Sequence, residues 1–547
     1  MGREVRTVDF DQVVALLTAG DYTISREIIQ RGFGALFLIA FLSAFNQFPA
    51  LLGERGLTPA PRFIALTTSA QAPSLFRWKR FAYSDRRLHL VCVVGMVLAA
   101  SVIIGLPQAG PAWVPIPVFL AMWGLYFSIV SIGQRFYGFG WESLLLEAGF
   151  LVGFLGSHEV APTLPMVLLL RWFVMRVEFG AGMIKMRGDA SWRDLTAMDY
   201  HHQTQPMPNP ISRRAHLMPG WWHKGETLGS HIVQLVAPWL LFAPQPIASF
   251  AAVAIIITQL ALVVSGNYAW LNWATILLAC SGISDTFFRW LAGGPFPGWG
   301  WHSVVSILSD PTGAEVADPV GGPDPAGSLP LWWLIVILVF VLWQCWLNVP
   351  ALRNLFSPRQ LMNASFNRLG LGNAYGAFGS MTETREEIII EGWIAPEDDS
   401  ADDGGPDGGG SPAGNAVDDD ADDGWREYAF KGKPGDVHRR GPIVAPYHLR
   451  LDWLMWFAAL GDYRQSWFTE LLRRIGNGDE QIRRLMGPDP FAGRTPDLIR
   501  VRVFTYRYAT RAERRDAAAA GQLRPWWVRS DPRILVRPID LRTGRQS

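Results

Sequence analysis

The chain has 547 residues, 49% hydrophobic, 12% aromatic and 18% charged, with a formal net charge of +1. Soluble domains carry about 25% charged residues, so this balance excludes a disordered or fibrous chain and points toward lipid. Three cysteines are too few for a disulfide scaffold, and all three, Cys92, Cys280 and Cys345, lie in apolar runs as small hydrophobes.

In chain order, residues 1–31 form a polar, mildly amphipathic N-terminal segment with no evident signal peptide, so the first span would itself direct insertion. Residues 32–350 read as a transmembrane helical domain. A bilayer-crossing helix needs about 17–25 apolar residues. Such runs fall at 33–52, 88–107, 113–133, 164–184, 247–264, 267–288 and 331–349. Shorter runs at 141–156 and 228–244 fit spans or buried, re-entrant helices, which gives seven to nine spans. A polar loop, 185–227, interrupts the domain.

After residue 350 the pattern changes. Residues 351–396 read as a connector ending in a strand at Glu386–Trp393. Residues 397–424 hold eleven acids and no base among glycines, a composition expected to be disordered and lacking the ligand spacing of a calcium loop. Residues 425–547 read as a soluble C-terminal domain, with a strand at Trp425–Lys431, helical patterning at 450–486 and strict alternation at 499–508. This tail has 24 basic residues against 13 acids, a surface for anionic partners such as lipid headgroups or a plain solvated face. The fold class is therefore an α-helical polytopic membrane protein with a small α+β C-terminal soluble domain. With nine spans, loops 53–87 and 185–227 and the tail share one side, opposite loop 289–330.

The chemistry concentrates in LPMVLLLRWFVMRVEFGAGMIKMRGD. Arg171, Glu178 and Lys185 recur every seven residues and share one helix face, with Arg176 well off it. Each charge near the bilayer centre costs about 2.5–3.5 kcal/mol, so the stripe must face protein or water. Glu142 and Glu147 are its candidate partners. A structural ion network and a functional cavity both fit. The following polar stretch adds Asp189, Trp192, Asp194, Asp199, Tyr200, His201 and Gln205 to this cluster. His201 and His202 are adjacent, and His216, His223 and His231 are scattered, so no metal is expected. No phosphate loop, GxSxG elbow or CxxC pair suggests a cofactor, and nothing suggests nucleic-acid binding.

Four stretches resemble the lipase maturation factor family: ESLLLEAGFL (142–151), FGAGMIKMRGDASWRDLTAMDYHHQTQPMPNP (179–210), EYAFKGKPGDVHRRGPIVAPYHLRLDWLMWFAALG (427–461) and DPFAGRTP with the later WWVR (489–496, 526–529). The resemblance implies a multi-pass membrane protein whose soluble C-terminal domain assists folding and assembly of secreted lipases. Animal members sit in the endoplasmic reticulum membrane; a bacterial cell membrane is the other location open to this chain. Animal members carry Cys where Gly432 stands, so the resemblance implies no thiol-redox role for the tail. FGAGMIKMRGDASW is also similar to a segment of vitamin K-dependent γ-carboxylases, which share a horizontally transferred transmembrane module. The position matching their proposed catalytic lysine is Lys185. The leading expectation is a chaperone-like maturation factor, not an enzyme, with membrane lipids and a lipase-like client as partners. The alternative is a membrane enzyme, carboxylase-like or acting on quinone, lipid or polypeptide, using Arg171, Glu178 and Lys185.

Overall fold

The computed structural model describes residues 10–293, 329–395 and 424–541. The first half is helical: α1 (Phe10–Leu17), α2 (Thr23–Leu52), α3 (Ala60–Leu66), α4 (Asp85–Ile103), α5 (Pro115–Val130), α6 (Gly140–Val152) and α7 (Leu164–Arg187). The polar loop folds into α8 (Ala190–Arg193), α9 (Ala197–Thr204), α10 (Ser212–His216) and the start of α11 (Gly220–Leu235). Then come α12 (Ala237–Leu240), α13 (Ile247–Ser265), α14 (Leu271–Ala279), α15 (Asp285–Gly293) and α16 (Leu331–Leu355).

Among the described residues, four stretches are long and apolar enough to cross a membrane: Gly20–Leu52, Asp85–Ile103, Ile247–Ser265 and Leu331–Leu355. Pro115–Val130 and Leu271–Gly282 are apolar but shorter. The sequence predicts seven to nine spans, and the differences have local causes. The run at 267–288 breaks at a 3-10 turn, Cys280–Gly282, into α14 and α15. The run at 228–244 breaks at Val236, ahead of Pro238, which has no N–H to donate. The run at 164–184 is one helix, but three charges lower its hydropathy.

α2 starts ten residues before the apolar run does, because its polar first turns find partners. Arg26 Nη1 donates to Ser157 O at 2.5 Å and Val160 O at 2.6 Å, and Gln30 Nε2 donates to Gly156 O at 2.9 Å. Glu27 Oε1 lies 2.8 Å from His158 Nε2. Buried polar groups are tolerated when hydrogen-bonded in this way.

The C-terminal region forms an antiparallel sheet of β1 (Arg385–Trp393), β2 (Arg426–Glu427), β3 (Leu498–Tyr508) and β4 (Trp527–Asp540), in the order β2-β1-β3-β4. β1 and β3 pair from Arg385↔Tyr506 to Trp393↔Leu498. The strand expected at Trp425–Lys431 shrinks to two residues. β4 is unanticipated because it is an exposed edge strand carrying Pro532 and Pro538, without apolar alternation. The basic face of β3 is paired: Arg500 and Arg502 both donate to Glu391, at 2.8 and 2.7 Å. Helices α17 (Arg450–Ala459), α18 (Ser466–Gly476), α19 (Glu480–Leu485) and α20 (Arg511–Ala519) complete the region.

This region interlocks with the helical part. Gln47 Nε2 donates to His448 O at 2.6 Å, and Asn267 Nδ2 donates to Pro442 O at 2.9 Å. Arg474 Nη2 donates to Gly56 O at 3.1 Å, and Arg213 Nε donates to Ala509 O at 2.9 Å. One hydrophobic core runs from Phe33 and Phe41 through Trp141 to Trp453 and Val501. The acidic segment 397–424, apart from Gly424, and most of loop 289–330 lie outside the described residues.

Candidate functional site

Small residues let other chain segments close on the C-terminal half of α7. A Cβ at Gly180 would stand 2.7 Å from Tyr375 O, and one at Gly182 would stand 2.7 Å from Leu235 Cδ2. Where α7, α11, α13 and α17 fail to meet, they enclose a cavity of about 610 Å³. Its walls are mostly apolar, including Leu262 of α13 and Trp453, Trp456 and Phe457 of α17, with a few convergent polar groups.

Two of those groups come from the charged stripe. Glu178 is 1% exposed; its Oε1 accepts from Gln259 Nε2 at 2.6 Å, while Oε2 has no partner within hydrogen-bond geometry among the described residues. Gln259 Oε1 in turn accepts from Asn272 Nδ2 at 2.6 Å, which turns the glutamine's amide toward the carboxylate. Lys185 donates from Nζ to Gln234 Oε1 at 2.9 Å and Ser230 Oγ at 3.3 Å, and Nζ sits 4.3 Å from the Trp192 ring centre. Gln259, Asn272, Gln234 and Ser230 are missing from the sequence reading. Gln259 was visible as the one amide side chain in the apolar run 247–264.

Arg171 does not reach this cavity. Seven helical residues rise about 10.5 Å, so residues sharing a face can still lie at different depths. Arg171 instead donates to Ser281 O at 3.0 Å, Leu241 O at 2.8 Å and Tyr22 Oη at 2.7 Å, a neutral set of acceptors. The glutamates proposed as partners of the stripe also pair elsewhere. Glu147 binds Arg176 Nη2 at 2.5 Å and accepts from Gly372 N, Asn373 N and Tyr375 Oη. Glu142 pairs with Arg450 Nη1 at 2.6 Å. Arg176, on another face of α7, is thus the residue that meets Glu147.

The polar stretch after α7 divides likewise. Asp189 caps α8, accepting from Ser191 N at 3.0 Å and from Met381 N at 3.1 Å, and these backbone bonds hold its carboxyl below the usual range. Trp192 lines the cavity and donates from Nε1 to Phe378 O at 2.8 Å. Asp194 is exposed, and Asp199 and Tyr200 are half-buried on α9. His201 lines the cavity; its Nε2 lies 2.9 Å from Tyr268 Oη, which donates to Gln205 Oε1 at 2.5 Å. Burial, then the neighbouring charge of His202, pushes His201 down to about 3, so it is neutral at pH 7.

The histidines that look scattered in sequence are not scattered in space. α11 folds back over α9, so His202 Nε2 and His223 Nδ1 both approach Glu226 Oε2, at 3.4 and 3.1 Å. These three atoms all lie within 4.8 Å of one another, a donor set able to hold a metal ion. Burial alone would raise the Glu226 carboxyl, but hydrogen bonds from His202 and His223 bring it down to about 2.

Residues 24–290 match the family model of the lipase maturation factor transmembrane domain, and residues 371–535 match that of the lipase maturation factor C-terminal domain. Lipase maturation factor 1 of Mus musculus is 36% identical over 537 residues, covering 94% of this chain and 87% of the relative. Lipase maturation factor 1 of Homo sapiens is 36% identical over 552 residues, covering 96% and 90%. Lipase maturation factor 2 of Homo sapiens is 27% identical, covering 92% and 81%. No solved structure matches the chain.

Proposed function

The chain belongs to the lipase maturation factor family, and from that membership we propose that it assists folding or assembly of a lipase-like client as a multi-pass membrane factor. The observation that carries this reading is the extent of similarity. Relatives bearing that name align with more than nine-tenths of the chain, across both the helical part and the C-terminal region. None of the relatives named above carries an enzyme's name. The cavity offers a place for the work. Its apolar walls suit an exposed apolar client segment or a lipid chain, and Glu178 Oε2 and neutral His201 supply polar contacts. Its walls come from both parts of the chain, so an occupant is held at their junction.

The test is functional rescue. The full chain is expressed with a secreted lipase in cells that lack their own maturation factor. The specific activity of the secreted lipase is expected to rise. Unchanged specific activity, with the chain inserted in membranes, would overturn the proposal.

A further inference from the structure

We propose that His202, His223 and Glu226 form a binding site for a divalent ion of the zinc class, which pins α11 to α9 beside the cavity. His223 and Glu226 are three residues apart on α11 and so lie on one face. His202 approaches that face from α9. A tetrahedral ion with bonds of about 2.0–2.1 Å spaces its ligand atoms about 3.3–3.4 Å apart. Two of the three separations here, 3.4 Å from His202 Nε2 to Glu226 Oε2 and 3.1 Å from His223 Nδ1 to the same oxygen, are near that size, and all three atoms lie within 4.8 Å of one another.

The tautomer of His223 is also fixed. Its Nε2 lies 3.2 Å from His216 O, and a carbonyl can only accept, so Nε2 carries the proton. In the neutral ring the Nδ1 lone pair then faces the cluster. This backbone contact is the kind of outer bond that orients ligating histidines. The two imidazoles are 2% and 4% exposed, which shields their nitrogens from water, and Glu226 is 27% exposed, which leaves a route for an ion. Two histidines and a glutamate suit zinc, and three protein ligands leave a fourth position. His202 and Glu226 line the cavity, so that position opens toward it.

The ion would act through α11. That helix supplies Ser230 and Gln234, which hold Lys185, and His231, whose Nε2 lies 2.9 Å from Trp192 O. Fixing α11 to α9 therefore fixes one wall of the cavity. The competing arrangement is an ion pair between protonated His223 and Glu226, with His202 as an additional donor and no metal.

The full-length, untagged protein, purified in detergent, is incubated with Zn²⁺, dialysed, and assayed for zinc by mass spectrometry. Co²⁺ is then substituted and its visible absorption recorded. The expected result is about one zinc per chain and the intense absorption of a four-coordinate cobalt site. Glu226→Gln and His223→Ala should lose both signals, and His216→Ala should keep them. Wild-type protein that retains no zinc, or zinc retained equally by Glu226→Gln and His223→Ala, would overturn the proposal. The wild-type measurement alone decides if those variants fail to fold.

Discussion

Arg450 of the C-terminal region pairs with Glu142 of α6 at 2.6 Å, and neither side chain is more than 1% exposed. Tyr126 Oη donates to Glu142 Oε2 at 2.6 Å, Arg450 Nη1 donates to Phe136 O at 2.8 Å, and the guanidinium carbon lies 3.5 Å from the Tyr137 ring centre. A buried charge costs several kcal/mol when unpaired. Each region therefore completes the other, and residues of both line the cavity.

Glu142→Gln should leave Arg450 buried without its counter-charge and cost about 3–5 kcal/mol. Thermal unfolding of the purified protein would show the loss, together with faster proteolytic release of the C-terminal region. Adding Arg450→Met should recover part of the loss, since an apolar pair needs no compensation. A double-mutant cycle that is additive within about 0.5 kcal/mol would contradict the pairing.

His448 gives the docking a pH dependence. Burial, and then the charge of Arg450, pushes it down to about 3, although Glu142 pulls the other way. From the ordinary value of 6.5 down to about 3, the unfolded chain takes up a proton that the folded chain refuses. Stability should therefore fall with pH through that window, by about 1.4 kcal/mol per pH unit for this group. Above 6.5 the group adds no slope. His448→Gln should flatten the dependence by one proton, measured as denaturant midpoints between about pH 5 and 7. A wild-type slope in the variant would exclude His448 as the source.

Lys185 is held by Gln234, Ser230 and the Trp192 ring, with no carboxylate within 4.0 Å among the described residues. Lys185→Met removes hydrogen bonds from a charged donor and a cation–π contact, and should cost about 2 kcal/mol. Lys185→Met with Gln234→Leu should cost less than Lys185→Met alone, because the buried amide oxygen that the first change strips of its donor is gone. Lys185→Arg keeps the charge and should retain at least part of the lipase-maturing activity at matched expression. Its complete loss in a folded Lys185→Arg variant would point instead to a proton acceptor, a role a guanidinium cannot fill.

Much of the fold was legible because local patterns carry it. The apolar runs at 33–52, 88–107, 247–264 and 331–349 lie on long helices, and the alternation at 499–508 became β3. β4 carries no such pattern, since its partner is β3 and its outer side faces solvent. At the site, the seven-residue spacing set Glu178, Lys185 and Arg171 on one face; the first two line the cavity, but axial rise carries Arg171 elsewhere. Partner choice was the least legible part. Glu142 meets Arg450 across more than 300 residues, and His202 meets His223 only because α11 folds back on α9.

Service of a lipase client through the cavity can be read out at Gly229. This glycine lines the cavity on α11, and a Cβ there would meet no heavy atom of the described residues within 4 Å. Gly229→Ala should fold normally and gain about 0.5–1 kcal/mol of helix stability, whereas Gly229→Trp should fill cavity volume without a backbone clash. The measurement is the specific activity of a lipase secreted from cells that lack their own maturation factor and express wild type, Gly229→Ala or Gly229→Trp at equal membrane levels. The predicted result is full lipase activity with the first two and a marked loss with Gly229→Trp; equal activity with all three would contradict a role for the cavity, and no activity above background with wild type would contradict the function itself.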